Sequence, residues 1–274
     1  MRAHHNQKNG TPPMNKAVFR GALSAMTLAM IGASALAATS TQRPVHPDAL
    51  RAQPAASSAA QFATPTVMLL QDVAPWDSSA NETILNNLGV AFATVSSAEL
   101  AAMPAEALDP YAVVIVSSDQ PQAFYDVLKD QMGKLGKWVK TGARTLEFHA
   151  ADNGWNGGTF SGTLPKGVTT YDAHDLTNMV VRPKWSLMKG VPTTLSGSWA
   201  SHKGLNVEAP IKTIVTDTAG NPTLVDYCWK QGRVIATGLT LEIAHDLGWD
   251  AAKVLENLIA ASTSAPGCQH KDPQ

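Results

Sequence analysis

The chain is poor in charge and poorer in thiol. Only 16% of its 274 residues are charged, the net charge is −1, and there are two cysteines. No run of Lys and Arg occurs, so a phosphate-binding surface for nucleic acid is not expected. No G-x-S-x-G or G-x-C-x-G segment supplies a nucleophile elbow. No G-x-G-x-x-G or Walker loop supplies a cradle for nucleotide phosphates, and no cofactor is expected. H-E-x-x-H, paired-histidine and C-x-x-C spacings are also missing. His149, His202, Glu242 and His245 could compose an imidazole and carboxylate metal set, but no spacing supports one and no metal is assigned. What is present is a 44% hydrophobic composition, which suits a folded domain rather than a disordered chain.

The ends read differently from the middle. Lys16 and Arg20 precede an apolar run, Gly21 to Leu36, that closes on Ala35-Leu36-Ala37. A basic region, an apolar region and a small-residue exit predict a secretory signal peptide over residues 1–37, with Met14 as a possible start. The run is too short and too rich in Ala, Gly and Ser for a good membrane span, so no membrane association is expected after cleavage. Residues 38–64, rich in Ala, Ser, Thr, Gln and Pro, read as a flexible spacer. Residues 65–262 read as the domain and 263–274 as a polar tail. The expected location is periplasmic or secreted. In an oxidising compartment Cys228, in an expected strand, and Cys268, in the tail, either pair or remain two independent thiols. Oligomeric state is not legible.

Within the domain, strands are expected at Thr66–Leu70, Ala91–Val95, Tyr111–Val116 and Ala143–Phe148, with His149 at the exit of the last. Helices are expected at Ser79–Leu88, Ser97–Met103 and Gln122–Lys140. Apolar residues at three- and four-residue steps mark the helices. YAVVIV, apolar on both faces, suits a central parallel strand. Alternation of strand and helix implies right-handed βαβ units. The second half is less regular. Asn178–Val181 reads as a short strand and Trp185–Ala200 as loop. Lys212–Thr216 and Thr223–Trp229 form a hairpin around DTAGNP. Arg233–Thr240 is a last strand and Ala251–Ala261 a closing helix. The fold class is α/β, a flavodoxin-like three-layer sandwich with a mostly parallel central sheet and a C-terminal hairpin.

Ligands of such sheets bind beyond the carboxyl ends of the strands. That places Asp72, Trp76, Ser118 and Asp119 on one wall, with His149, Asp152 and Glu242 beyond. Asp72 and Asp119 equally suit helix caps. His149 ends a strand that leads into the polar, flexible loop AADNGWNGG. It suits a proton carrier, with Asp152 or Glu242 as its carboxylate partner, or a histidine bonded to the backbone. Trp155 on that loop suits a stacking platform for a sugar ring, or a plug onto the core. His202 follows Gly197-Ser198-Trp199-Ala200-Ser201 in a loop long enough to fold over the edge. The candidate catalytic residues are therefore His149, Asp152 and Glu242, and the candidate substrate-binding residues Trp155, Asp72, Asp119 and His202.

The run Leu135–Ala151, LGKWVKTGARTLEFHAA, with the loop after it, resembles trehalose-utilisation (ThuA-like) proteins and the wider class I glutamine amidotransferase-like group. Ser198-Trp199-Ala200-Ser201-His202 and Asn221–Glu242, NPTLVDYCWKQGRVIATGLTLE, resemble the closing half of such domains. There a hairpin carries a GRV…G strand into a glutamate. The resemblance spans Thr66 to Ala261. It implies the fold above, a sugar-related role, and site positions at His149, His202 and Glu242. Glutaminases of that group place a cysteine after a central strand; the matching strand here gives His149, so glutamine hydrolysis is not implied. The expected ligand is a carbohydrate or related small molecule. The alternative is a non-catalytic domain that acts as a binding or interaction module.

Overall fold

A computed structural model describes residues 66–268, which fall within a single compact unit. The expected leader (1–37) and spacer (38–64) lie outside the described residues. The first half builds as the pattern of apolar residues dictates. Strands β1 (Val67–Leu70), β2 (Phe92–Val95), β3 (Val113–Val116) and β4 (Thr145–His149) alternate with helices α1 (Ala80–Asn87), α2 (Ser97–Ala102) and α3 (Gln122–Lys140). Helix α2 starts on a capping box: the Glu99 backbone N–H donates to Ser96 Oγ at 3.2 Å, and the Ser96 N–H donates to the Glu99 carboxylate at 2.7 Å.

The second half adds β5 (Thr169–Val180), β6 (Thr194–Asn206), β7 (Lys212–Asp217), β8 (Pro222–Trp229) and β9 (Gly232–Thr237), then α4 (Leu241–Leu247) and α5 (Ala252–Ser264). One sheet contains all nine strands in the order β2-β1-β3-β4-β9-β8-β7-β5-β6. Pairings from β2 through β9 are parallel, including the β1–β3 contact of a flavodoxin-like order; those from β9 to β6 are antiparallel. The sheet is thus mixed, and the expectation of a mostly parallel one is corrected. Two further readings change with it. Asn178–Val181 is the end of a twelve-residue strand, and Trp185–Ala200 contains the first half of β6. The tail is also shorter than expected, since α5 continues to Ser264.

Side chains alternate between two apolar layers. Met68, Leu70, Val114 and Val116 pack with Leu100 of α2 and with Phe124, Leu128 and Leu135 of α3. Val67, Leu69, Val113 and Ile115 face the other way, onto Ile84 and Leu85 of α1, Leu241 of α4 and Val254, Leu255 and Leu258 of α5. This two-sided burial is why β1 and β3 are continuous apolar runs. Cys228 and Cys268 form a disulfide with Cα atoms 5.3 Å apart. The segment after α5 is further held by hydrogen bonds from Gly267 N to Thr145 Oγ1 and from Cys268 N to Gln231 O, both 3.0 Å. Among the described residues no helix is long and apolar enough to cross a membrane.

Candidate functional site

Because β1, β3, β4 and β9 are parallel, their carboxyl ends lie along one edge. The backbone there is strained. Trp76 (φ 55°), Asp77 (56°), Asp119 (46°), Asn153 (56°) and Trp199 (66°) all occupy the left-handed region without being glycine. Such conformations persist where the surroundings over-determine them, and they gather at functional sites.

Under this edge runs a buried polar chain. His149, the last residue of β4, has Nδ1 2.7 Å from Glu242 Oε1 and Nε2 2.9 Å from Glu147 Oε1, and all three side chains are fully buried. A carboxylate accepts only, so both ring nitrogens donate and the ring is an imidazolium. Burial alone would lower the His149 pKa. The charge of Glu242 and the hydrogen bonds to both carboxylates outweigh it and lift the pKa to about 10. Burial likewise pushes Glu242 up, but the His149 charge, its hydrogen bond and that of Ser118 bring it down to about 2. Ser262 of α5 donates to Glu147 Oε2 at 2.7 Å, and Ser118 Oγ donates to Glu242 Oε2 at 2.7 Å. Asn81 of α1 adds a donor to Glu242 Oε1 at 3.3 Å.

Above the chain lies an aromatic surface. The Trp76 indole donates to Ser118 Oγ at 2.8 Å. Its ring meets Trp155 edge-on at 6.0 Å and His202 edge-on at 5.1 Å between centroids. His202 lies 4.5 Å from His174, the two rings tilted by 36°, and His174 meets Trp199 edge-on at 5.6 Å. Trp76 is buried, whereas Trp155 is 56% and Trp199 44% exposed. His202 Nδ1 lies 3.0 Å from the Asp152 carbonyl oxygen, so Nδ1 carries the proton and Nε2 is bare. Burial, followed by the neighbouring charges of His174 and Lys203, lowers its pKa to about 4 against the opposing carbonyl bond. Burial raises Asp152 to about 6, opposed by Lys203, whose Nζ is 2.7 Å from Asp152 Oδ1 and also pairs with Asp172.

The loop after β4 takes its composition from this packing. Asp119 accepts from Asn156 N at 3.1 Å, Asn156 Nδ2 at 3.1 Å and Trp76 N at 3.3 Å, and burial raises its pKa. A Cβ on Gly154 would fall 2.2 Å from the Trp76 ring and 2.6 Å from Asp119 Oδ1; one on Gly158 would fall 2.2 Å from Gln120 O. The polar and glycine-rich stretch therefore closes over the strand ends and presents Trp155.

The structure brings His149 and Glu242 together, as one of the two expected pairings had it, while Asp152 pairs with Lys203 instead. His149 is fully buried between Glu147 and Glu242, so the carboxylate partner it was expected to have is joined by a second one. Asp72 stands apart: its carboxylate accepts from Ser97 N and Ser97 Oγ, both at 2.7 Å, and caps α2. Asp119 is buried and occupied by the loop. His245 faces Asp246 at 3.6 Å, and among the described residues no three His, Cys, Asp or Glu side chains gather as a metal set. Lys203, His174 and Asp172 escaped the sequence reading because the two long strands that carry them were not recognised.

No family model matches the chain. An uncharacterized protein of Clostridium acetobutylicum is 28% identical over 196 residues, 70% of this chain and 20% of that protein. This chain spans about a fifth of the relative's length. Among solved structures, a cytoplasmic protein of Salmonella typhimurium LT2 has a TM-score of 0.50 at 11% identity, covering 71% of this chain and 98% of the other. A glutamine amidotransferase of Thermotoga maritima gives 0.45 at 13% identity, with 72% and 82% covered. A ThuA-like protein of Bacteroides uniformis gives 0.42 at 13% identity, with 70% and 87% covered. At such identities the likeness is one of fold, and chemistry must come from residues. Both cysteines of this sequence are held in the disulfide, so neither is a free thiol.

Proposed function

We propose that the chain is an exported domain that binds a carbohydrate or related small molecule at the carboxyl edge of its sheet. The observation that carries this reading is the aromatic surface: two exposed indoles, Trp155 and Trp199, joined through Trp76, His202 and His174. Exposed indoles have little core to fill, and their faces suit the C–H faces of a sugar ring. Asp172, His174 and Asn156 supply hydrogen-bonding groups beside them. The disulfide is compatible with an oxidising compartment.

The test is calorimetric titration of the mature domain against a panel of neutral and acidic oligosaccharides at pH 7. Saturable binding that weakens at least about tenfold, about 1.4 kcal/mol, in Trp155→Ala or Trp199→Ala supports the reading. Binding by no member of the panel, or binding indifferent to both substitutions, rejects it. Should turnover accompany binding, the acid–base group is His202 rather than His149, since its Nε2 is a bare acceptor held in place by the Nδ1 bond. Binding without turnover matches the interaction-module alternative.

A further inference from the structure

The donors and acceptors of the buried chain beneath the aromatic surface can be assigned one by one. An indole N–H can only donate, so Trp76 Nε1 gives its hydrogen to Ser118 Oγ. The Ser118 hydroxyl then has one hydrogen left to give, and it goes to Glu242 Oε2. Glu242 receives a second hydrogen from His149 Nδ1, and His149 gives its other to Glu147, which accepts from Ser262. The hydrogen bonds run without a gap from α5 to Trp76 and converge on the two carboxylates. Ser118, His149, Glu147, Glu242 and Ser262 are all fully buried, and a side branch runs from Glu242 through Asn81 and Ser117 to half-buried Gln71.

We infer that Ser118, which holds the Trp76 indole directly, and His149, which acts on Ser118 through Glu242, are positioning residues for the aromatic surface. The inference rests on that surface being the ligand site. Trp76 needs such a hold, since its backbone is left-handed and its own N–H makes only a 3.3 Å bond to Asp119. Trp76 in turn sets the ring contacts of Trp155 and His202. The charged groups facing His149 are Glu147 from its own strand and Glu242 from α4; Ser262 from α5, Asn81 from α1 and Ser118 from the β3 exit approach these carboxylates as neutral partners, with Asp119 one residue further on.

The experiment follows indole N–H resonances in ¹⁵N-labelled protein without ligand, with Trp76 and Trp155 assigned from Trp76→Phe and Trp155→Phe. Ser118→Ala is expected to shift the Trp76 signal upfield, to speed its solvent exchange at least about tenfold, and to move Trp155, whereas Trp138, bonded to Leu108 O at 3.0 Å, stays in place. Ser118→Thr, which keeps the hydroxyl, is expected to restore both signals. Unchanged Trp76 and Trp155 in Ser118→Ala, or no rescue by threonine, overturns the inference. If Ser118→Ala does not fold, the wild type is titrated upward in pH: Trp76 is expected to move together with the His149 ring nitrogens, and a Trp76 signal that stays fixed while they titrate overturns it. No sugar enters these measurements, so a failed oligosaccharide panel and a failed relay are separate results.

Discussion

Exchange of His149 for alanine leaves Glu147 and Glu242 buried without the cation between them. Breaking a buried ion pair in this way costs about 3–5 kcal/mol, so the denaturant midpoint of His149→Ala is expected to fall clearly. The pH dependence follows from the two shifted groups. His149 is raised from 6.5 to about 10, so its stabilisation is complete below 6.5 and is lost as the pH rises through about 10. Glu242 is lowered from 4.5 to about 2, so its share is complete above 4.5 and is lost as the pH falls through about 2. The pair therefore contributes fully between 4.5 and 6.5, and the midpoint-against-pH profile of His149→Ala is expected to lack the wild type's fall below pH 4.5, because without the cation, burial raises Glu242 instead of the cation lowering it. His202 behaves oppositely to His149. Its ring resonances are expected to titrate near pH 4, and a midpoint near 6.5 would remove the case for a buried, carbonyl-locked ring.

At the scale of elements, the loop after β4 depends on glycine for space rather than for flexibility alone. Gly154→Ala drives a methyl into Trp76 and Asp119. Overpacking of this kind costs about 1–3 kcal/mol; the thermal midpoint is expected to fall, with altered near-ultraviolet dichroism from the displaced tryptophans. How much of this was legible from sequence differs between the two halves. Helix α3 has the bounds that its apolar steps predict, Gln122 to Lys140, because seven core residues recur on one face. The strand exits were legible for the same reason, and with them Trp76, Ser118, Asp119, His149 and Glu242. Strand β5 was legible only at its end. TTYDAHDLTNMV shows an apolar residue at few alternate positions, since one face is open to solvent, and the ladder to β6 shifts register around Asp175, which resets the alternation. Lys203 and His174 therefore had no element to place them. The second partner of His149 was not legible for another reason: sequence locates a histidine at a strand end, but which carboxylates close on it depends on α4 and on the side of β4 that Glu147 shares.

For the molecule as a whole, the disulfide joins the segment after α5 to β8 across a sequence separation of 40. Closing a loop of that length stabilises by about 4 kcal/mol in the chain-entropy model. Reduction, or Cys228→Ser with Cys268→Ser, is expected to lower the thermal midpoint. It should leave oligosaccharide affinity unchanged, because Thr145 and Gln231, which hold this segment, lie at the amino edge of β4 and β9, opposite the aromatic surface. The bridge also decides how the chain answers to a mechanical pull. Tension applied beyond Cys268 enters the sheet through β8 and bypasses α5 and the β9 strand, so the helix cannot be peeled away first. In a single-molecule extension experiment the oxidised protein would hide the enclosed segment, and reduction would release it. At about 3.6 Å per residue, the 40-residue separation corresponds to about 140 Å of added contour length.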